Sequence, residues 1–332
     1  MKRVAIAGAT GAVGTEMLKT LEKRNFPVSS LKLLASERSV GRKLVFKGKE
    51  IAVELLRPEA FDDVDIVLSS TSGTLSKQFS PAAVERGAVV VDNTSAFRMD
   101  PNVPLVVPEV NPEDIKWHKG IIANPNCSTI IANVPLFPIY KKFGLKRFVS
   151  CTYQAVSGAG AWGIEELREQ TKAYLAGEPI VKNKFPHQIA FNVFSHNSAI
   201  GPDGFNEEEA KMIRETRKIF HDDSITISAT CVRVPVFRAH TEALHCELKE
   251  KATPDEIREL LSTAPGVKVI DDVAGNHFPM PIESTEEYDV RVGRIRTDYL
   301  FDNGIAMLIS GDQLLKGAAF NAVQIAELLL NL

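Results

Sequence analysis

One cysteine stands in a sequence context that suits a nucleophile. Cys127 lies in the stretch NPNCST (124–129), between one apolar run that ends at Ala123 and another that begins at Ile130. This pattern predicts a strand, a tight turn and a helix that begins at Cys127. Unpaired backbone N–H groups and the positive end of the helix dipole favour a thiolate at such a position. Cys127 is therefore a candidate nucleophile, although a cysteine without such a context is more often a small core hydrophobe.

The other three cysteines, Cys151, Cys231 and Cys246, lie within apolar, strand-like runs and are predicted to be core residues. The four cysteines show neither paired spacing nor a CxxC motif. This usage predicts no disulfide framework and no metal site, and it indicates a reducing compartment.

Length and charge limit the classes of function. With 332 residues the chain is long enough for two domains, and a net charge of -3 gives no reason to expect a nucleic acid or a membrane as partner. No apolar run reaches the roughly 20 residues that a membrane span needs. The apolar start superficially resembles a signal peptide, but a strand that leads into a glycine turn explains it better. We therefore expect a cytoplasmic protein.

A glycine turn near the N-terminus suggests a phosphate site. Residues 3–7 form an apolar strand, the sequence GATGAVG (8–14) follows, and apolar residues then recur at helical spacing. Glycines let the backbone approach a pyrophosphate, whose charge is met by the N-terminus of the next helix. The GxxGxxG spacing alone does not separate this function from a plain tight turn.

The second strand, 31–35, leads into residues that would read the adenosine ribose of a dinucleotide. This stretch is Ser36-Glu37-Arg38-Ser39. An acidic residue at this place favours NAD, whereas Arg38 with flanking hydroxyls would hold the 2′-phosphate of NADP. Glu37 leaves the choice open, and a solvated loop is the alternative. We favour NADP.

Strands alternate with helices through the first part of the chain. Buried strands are predicted at 65–69 and 88–92, with a helix between them that runs from Ser76, its cap, to Arg86. This alternation predicts an α/β fold with a parallel, doubly wound sheet. Arg98 follows the second of these strands, near the edge where such sheets bind ligands, and the alternative is a surface arginine.

After Cys127 the pattern changes to runs of strands separated by longer helices. Strands are predicted at 148–156, 225–234, 241–249, 290–296 and 304–309, and helices from about 164, at 206–220 and at 254–261. This arrangement favours an α+β second domain with an antiparallel-rich sheet. The final apolar helix, 315–330, is expected to return to the first domain.

Four motifs together resemble the aspartate-semialdehyde dehydrogenase family. They are GATGAVG (8–14), Asn126-Cys127-Ser128-Thr129, the stretch 154–160 and CVRVPVFRAH (231–240). The resemblance covers essentially the whole chain. It implies a Rossmann-like dinucleotide-binding domain, 1–127 completed by 313–332, and a glyceraldehyde-3-phosphate-dehydrogenase-like catalytic and dimerisation domain, 128–312.

The activity implied by this resemblance is the NADPH-dependent reductive dephosphorylation of L-aspartyl 4-phosphate to aspartate 4-semialdehyde and inorganic phosphate. The reaction would feed lysine, methionine and threonine synthesis, and the protein would be a homodimer without a metal. Since an acyl phosphate is already activated, the chemistry needs a thiolate, a proton shuttle, a phosphate site and an oxyanion site.

The resemblance also assigns residues to roles. Cys127 would form a thioester, His240 would be the general acid and base, and Gln154 would orient the substrate. For the substrate, Arg233 would bind the α-carboxylate, and Glu208 or its neighbour Glu209 would bind the ammonium. Arg98 and Lys211 would hold the phosphate. Asn126 and Gln154 would also contact the substrate. The implied cofactor contacts are Gly8, Thr10, Gly11, Ala12, Val13, Arg38, Ser39, Ser157, Gly158 and Gln313.

The sequence positions of Arg233 and His240 are compatible with their implied roles but do not require them. Arg233 shares a strand face with Ala229 and Cys231, and a buried arginine there needs an anionic partner that the adjacent sequence does not offer. A lone histidine such as His240 is more often a core or surface residue. The remaining histidines are expected to be structural: His118, His187, His196, His221, His245 and His277.

Two other functions stay open from sequence. N-acetyl-glutamyl-phosphate reductase has a similar architecture, but that family typically shows a glycine before its cysteine and tyrosine-proline after it, whereas Asn126 and Ser128 flank Cys127 here. A non-catalytic NADP-binding redox sensor would need a resolving cysteine, which the fold could supply as Cys151.

Overall fold

The computed structural model describes all residues, Met1–Leu332, in two compact units. The first unit comprises Met1–Asn126 and Ala318–Leu332, and the second comprises Cys127–Gly317. The elements of the first unit are β1 (Lys2–Ala7), α1 (Ala12–Lys23), β2 (Val28–Ala35), β3 (Lys43–Phe46), β4 (Lys49–Leu55), β5 (Ile66–Ser69), α2 (Gly73–Glu85), β6 (Val89–Asp92), β7 (Ile121–Ala123) and α8 (Phe320–Leu328).

The sheet of the first unit has seven strands in the order β3-β4-β2-β1-β5-β6-β7. All neighbours are parallel except the hairpin β3–β4 at one edge. The doubly wound parallel sheet predicted from the alternating pattern is therefore confirmed. The hairpin was not predicted, although Lys47 and Gly48, both with positive φ at its turn, are the local signal for it.

Both faces of this sheet are covered, which explains the apolar run at 4–7 in β1. Val4 and Ile6 pack with α1 and α8 on one face, and Ala5 and Ala7 belong to a separate cluster on the other. Side chains alternate between faces along a strand, so a strand buried on both sides has no polar positions. The two helices on the first face also meet each other, since Met17 and Val323 lie in one core cluster.

The first turn of α2 corrects one expectation. The helix begins at Gly73, with Ser72 as its cap, and the Ser72 hydroxyl accepts from the Leu75 N–H at 3.3 Å. The predicted cap, Ser76, is instead a buried helical residue whose hydroxyl donates to Asp92 Oδ2 at 2.8 Å. A serine is thus able to hold a strand-end carboxylate from inside a helix, and sequence alone does not separate the two uses.

The second unit is built on another seven-stranded sheet, in the order β12-β13-β14-β11-β8-β10-β9. Its elements are α3 (Cys127–Phe143), β8 (Leu145–Gln154), α4 (Ala161–Ala176), β9 (Phe194–Ser195), α5 (Glu207–Phe220), β10 (Thr226–Arg233), β11 (His240–Leu248), α6 (Pro254–Ser262), β12 (Val267–Val269), α7 (Pro281–Ser284), β13 (Val290–Thr297) and β14 (Gly304–Gly311). Four of the six neighbouring pairs are antiparallel, as expected for the α+β domain.

Strand β8 places polar side chains in the interior. Ser150, Thr152 and Gln154 are buried on one face, whereas Cys151 and Tyr153 lie on the other and are partly exposed. Cys151 is therefore not the core residue that its apolar surroundings predicted, because the face it occupies is only half covered. Buried polar side chains need hydrogen-bond partners. Their alignment on one face of β8 therefore marks that face as a candidate functional site.

None of the helices combines the length and the apolar composition that crossing a membrane requires.

Candidate active site

Cys127 is the first residue of α3, as the sequence predicted. Its Sγ lies 3.5 Å from Nε2 of His240, which is the first residue of β11. The turn before Cys127 is held by Asn124, whose N–H donates to the Asp92 carbonyl at 2.8 Å. The structure therefore brings the candidate nucleophile and the candidate acid–base group together from positions that are far apart in the chain.

The protonation state of His240 follows from its contacts. The ring is fully buried, and Nδ1 accepts a hydrogen bond from the Ala155 N–H at 3.0 Å. Burial, followed by the nearby charge of Arg233, lowers the pKa of His240 to about 3. The neutral ring then carries its proton on Nε2, the nitrogen that faces Cys127. His240 is thus a hydrogen-bond donor toward the sulfur.

Gln154, at the end of β8, joins three parts of the site. Its Nε2 donates to Ser128 Oγ at 3.1 Å and to Glu208 Oε1 at 3.1 Å, while its Oε1 accepts from the Thr152 hydroxyl at 3.3 Å. Nε2 also lies 3.5 Å from Nε2 of His240, but both nitrogens carry hydrogens, so neither accepts from the other. The proton on His240 is therefore left for Cys127 or for a bound substrate.

The two glutamates at the start of α5 have different surroundings. Glu209 forms a capping box with Asn206, and its second oxygen accepts from the Cys231 N–H at 2.9 Å. Glu208 faces Gln154 and lies 3.7 Å from Lys211 Nζ. The carboxylate of Glu209 is fully engaged in holding the helix end to β10, which leaves Glu208 as the one that faces the site.

Arg233 ends β10 and is only 2% exposed. Its Nη1 donates to the Ala155 carbonyl at 2.8 Å, and its Nε has no hydrogen-bond partner. Burial lowers the pKa of this guanidinium, although the charge of Glu208 opposes that effect. An unpaired N–H on a buried cation is costly unless a ligand satisfies it, so Arg233 is a good candidate to bind an anion.

His196 was expected to be structural, and the structure places it against the candidate carboxylate ligand Arg233. It follows β9, and its Nε2 lies 2.7 Å from Nη2 of Arg233. Nη2 also donates to Asn197 Oδ1 at 3.3 Å. Because β9 is only two residues long, neither its apolar pattern nor its spacing from β10 is visible in the sequence.

The glycine turn of the first unit fits a dinucleotide phosphate. Gly8 has φ +84°, and a Cβ there would lie 2.2 Å from the Ser70 carbonyl oxygen, so only glycine allows this approach of β1 to the loop after β5. Gly11 caps α1 without a side-chain hydrogen bond. The first N–H groups of α1, at Ala12 and Val13, therefore have no capping side chain and are suited to an anion.

The residues predicted to read the ribose lie beside this turn. Ser39 Oγ is 3.1 Å from Thr10 Oγ1, and Arg38 is exposed in a short helical turn, Glu37–Ser39. Two hydroxyls and a guanidinium are a donor set that matches a phosphate. Glu37 is exposed in the same turn, so its side chain is available for a ribose hydroxyl as well.

Arg98 is buried in the first unit rather than on the surface. Its Nε donates to the Asn124 carbonyl at 2.9 Å and its Nη2 to the Asn93 carbonyl at 3.0 Å. These carbonyls lie at the ends of neighbouring strands, so Arg98 is fixed at the edge of the sheet. Asn126, also buried, is the last residue of this part of the first unit.

Three other predicted cofactor residues lie in the second unit. Gln313 donates through Nε2 to Ser157 Oγ and accepts through Oε1 from the Ala239 N–H at 2.8 Å. A Cβ on Gly158 would lie 3.2 Å from both Arg233 Nη1 and His240 Cε1. The loop that contains Ser157 and Gly158 therefore lies directly against the site around Cys127.

The remaining cysteines are poor nucleophiles or lie elsewhere. Burial raises the pKa of the Cys231 thiol, and it raises the pKa of Cys246 to about 12. Cys151 is on the face of β8 opposite to Gln154. None of the four cysteines forms a disulfide, and no group of three or more His, Cys, Asp or Glu side chains is arranged to hold a metal.

Comparisons with known proteins identify the family of both parts of the chain. Residues 3–118 match the family described as "Semialdehyde dehydrogenase, NAD binding domain", and residues 136–316 match "Semialdehyde dehydrogenase, dimerisation domain". Aspartate-semialdehyde dehydrogenase of Aquifex aeolicus is 56% identical over 331 residues, which cover 98% of this chain and 97% of that protein. The first unit therefore belongs to a family of nicotinamide-dinucleotide-binding domains.

Two solved structures resemble the whole chain. Aspartate semialdehyde dehydrogenase II of Vibrio cholerae, complexed with ASA, has a TM-score of 0.97 and 46% identity, covering 100% of this chain and 98% of that chain. The Candida albicans enzyme with NADP has a TM-score of 0.77 and 26% identity, covering 99% and 98%. The comparisons support neither N-acetyl-glutamyl-phosphate reductase nor a non-catalytic sensor. With its domains, its fold and its sequence matched over nearly their full length, this chain belongs to the aspartate-semialdehyde dehydrogenase family.

Proposed function

We propose that this member of the aspartate-semialdehyde dehydrogenase family uses NADP(H) to reduce L-aspartyl 4-phosphate through a thioester on Cys127, with release of inorganic phosphate. The observation that carries the proposal is the pair of Cys127 and His240, with Sγ 3.5 Å from Nε2 at the start of a helix. A thiol beside a neutral N–H donor suits acyl transfer, because the donor stabilises negative charge on the sulfur or on the reacting oxygen.

In the first half of the reaction the Cys127 thiolate attacks the acyl carbon of the substrate. The bond from that carbon to the phosphate oxygen breaks, phosphate leaves with the electron pair, and a thioester remains on Sγ. The reduced nicotinamide, when bound, supplies the hydride that converts the acyl carbon to the aldehyde level. Collapse of the resulting adduct returns the electron pair to sulfur and frees the aldehyde.

His240 acts on the oxygen and sulfur that carry charge in these steps, and Gln154 holds the elements around them. The proton on His240 Nε2 is directed at the site, since Nδ1 is held by the Ala155 N–H. It hydrogen-bonds the oxyanion as charge develops and stays on Nε2 when the adduct collapses, because the charge then returns to the sulfur. Gln154 holds Ser128 and Glu208 at 3.1 Å each, which keeps the start of α3 and α5 in register with the reacting atoms.

Substrate recognition is assigned to charged groups around this centre. The unpaired Nε of Arg233 suits the α-carboxylate, and the Glu208 carboxylate suits the ammonium group. Glu208 is favoured over Glu209, whose oxygens already bind Asn206 and the Cys231 N–H. Lys211, whose Nζ lies 3.7 Å from Glu208, is the proposed phosphate ligand of this centre, and the phosphate role that the resemblance implies for Arg98 stays a prediction.

The preference for NADP(H) rests on the turn after β2. Arg38 is exposed there and Ser39 lies 3.1 Å from Thr10, so a guanidinium and two hydroxyls are available for a 2′-phosphate. We further propose a homodimer, in line with the dimerisation domain that residues 136–316 match. A cytoplasmic location is supported by the absence of disulfides among four cysteines.

Turnover tests the proposal directly. Aspartate 4-semialdehyde, NADP⁺ and inorganic phosphate should yield NADPH, and omitting phosphate should remove most of the rate. Cys127→Ala should abolish turnover, whereas Cys151→Ala, a matched change at the other partly exposed cysteine, should leave it intact. Full activity in Cys127→Ala, or a rate that does not depend on phosphate, would contradict the thioester route.

A further inference from the structure

The contact between His196 and Arg233 determines which ring nitrogen of His196 carries the proton, as the contact with Ala155 does for His240. Nη2 of Arg233 lies 2.7 Å from Nε2 of His196. A guanidinium only donates, so Nε2 must accept. The proton of the neutral ring is then on Nδ1, which lies 3.0 Å from the Ser198 hydroxyl and donates to it. Protonating Nε2 would turn this contact into a repulsion between two cations.

The surroundings of His196 favour the neutral ring. Burial lowers the pKa of His196 to about 4; Glu208 and Glu207 oppose this effect, while Arg233 and Lys211 add to it. These four are the charged groups that face the ring from α5 and β10. At neutral pH the ring is therefore an acceptor for Arg233.

The segment that carries the ring is held from two sides. The backbone N–H of His196 donates to the Cys231 carbonyl at 2.9 Å, which continues the pairing of β9 with β10. Ser198 Oγ accepts from the Glu208 N–H at 3.3 Å, which ties the same segment to the first turn of α5. His196 is thus attached to the two elements that carry Arg233 and Glu208.

The hydrogen bonds of Arg233 show what this attachment can do. Nη1 is fixed by the Ala155 carbonyl and Nη2 by His196 and Asn197, whereas Nε remains unpaired in a buried position. The contacts on Nη1 and Nη2 set the plane of the guanidinium, and that plane decides where the unpaired N–H points. A planar group binds a carboxylate well only in the correct orientation.

We propose that His196 is a positioning residue for substrate binding: as a neutral acceptor it orients the Arg233 guanidinium toward the substrate carboxylate. The inference rests on the proposed function, in which Arg233 binds that carboxylate. It assigns His196 no contact with the reacting atoms, so its effect is on binding of any substrate that keeps the carboxylate.

A matched pair of variants distinguishes the roles of the two ring nitrogens of His196. In His196→Gln the amide reaches the position of Nε2 and its oxygen can accept from Arg233. In His196→Asn the shorter amide reaches only the position of Nδ1, which keeps the Ser198 contact and loses that to Arg233. Both side chains are neutral and polar, so they differ mainly in the contact under test.

Steady-state kinetics with aspartate 4-semialdehyde and with succinate semialdehyde, which keeps the carboxylate and lacks the amine, form the test. Losing a hydrogen bond to a charged group costs about 1.5 to 3 kcal/mol, so His196→Asn should raise KM for both aldehydes about tenfold or more. Its kcat should stay within about threefold, and alkylation of Cys127 should proceed as in the unmodified protein. His196→Gln should restore KM to within about threefold of the original.

Each possible result of these measurements either supports the positioning role of His196 or overturns it. Unchanged KM values in a folded His196→Asn, or an equal loss in both variants, would overturn the positioning role. If His196→Asn does not fold, His196→Gln still tests the idea, since a tenfold rise in its KM would show that acceptance from Arg233 is not enough. Failure of the unmodified protein to turn over aspartate 4-semialdehyde would instead reject the proposed function.

Discussion

Ala155 and His240 are joined by a hydrogen bond of 3.0 Å from the backbone N–H to Nδ1, and the carbonyl of the same Ala155 accepts from Arg233 Nη1 at 2.8 Å. One peptide segment thus orients both the proton donor and the proposed carboxylate ligand. Because backbone groups hold them, neither contact depends on the chemistry of the Ala155 side chain. The relation between the two groups is therefore set by the end of β8.

Substitution of His240 tests which of its nitrogens matters. His240→Asn keeps an oxygen near the Ala155 N–H but places nothing beside Cys127, so kcat should fall by about 10² to 10⁴. His240→Gln restores an amide donor near the position of Nε2 and should lose less. Stopped-flow or steady-state kcat values measure this, with circular dichroism as the check on folding. A kcat in His240→Asn within about threefold of the unmodified value would reject the donor role.

The parts of the site that sequence predicted are those set by local rules. The start of α3 at Cys127 follows from the Asn-Pro turn before it, and the capping residue Asn206 marks the start of α5. The alternation along β10 places Arg233 on the same buried face as Ala229 and Cys231. These features depend on a few neighbouring residues, for which turn and cap preferences are strong.

The parts that sequence could not predict depend on distant pairs. Cys127 and His240 are 113 positions apart, Ala155 and His240 are 85 apart, and His196 and Arg233 are 37 apart. No periodicity connects such positions, and the assignment of His240 came from the family resemblance rather than from its neighbours. His196 lay in no motif quoted for that resemblance, and so it was missed.

Arg38 is expected to set the cofactor preference. Removing a charge-assisted contact with the 2′-phosphate costs about 1.5 to 3 kcal/mol, so Arg38→Ala should raise KM for NADPH about tenfold or more. KM for NADH should barely change, because that cofactor lacks the phosphate. Arg42→Ala is the matched control, since Arg42 is an exposed arginine four positions further on. Parallel changes in both KM values, or an equal effect of Arg42→Ala, would exclude Arg38 as the determinant.

Gly317 should be intolerant of even a methyl group. A Cβ there would lie 2.8 Å from the Cβ of Cys127 and 3.2 Å from its Cα, closer than packed atoms allow. Gly317→Ala should therefore displace the nucleophile, with a loss of about tenfold or more in kcat and in the rate of Cys127 alkylation. Gly73→Ala is the control, because no atom lies within 4 Å of a Cβ at that position. Equal rates in the Gly317 variant and the unmodified protein would show that α3 can adjust.

Glu242 is expected to lower stability at alkaline pH. It is fully buried on β11, where Ser150 donates to Oε2 at 3.2 Å and Oε1 has no partner. Burial raises the pKa of this carboxyl well above the ordinary value of 4.5, and the charge of Glu208 adds to the effect. The folded protein then keeps a proton that the unfolded chain releases above pH 4.5. Stability therefore falls as pH rises, by about 1.4 kcal/mol per pH unit until the folded carboxyl ionises.

Glu242→Gln removes this titration while it keeps the shape of the side chain. The variant should be close to the unmodified protein in stability near pH 5 and more stable by about 1 kcal/mol or more at pH 8, as measured by urea unfolding at several pH values. Glu247→Gln, on the same strand, is the control: its carboxylate pairs with Arg147 at 2.8 Å and Lys146 at 3.2 Å. Loss of that pairing should destabilise the protein by up to about 1 kcal/mol at both pH values. If the gain from Glu242→Gln is the same at pH 5 and pH 8, Glu242 does not titrate between them and its proposed effect on stability is wrong.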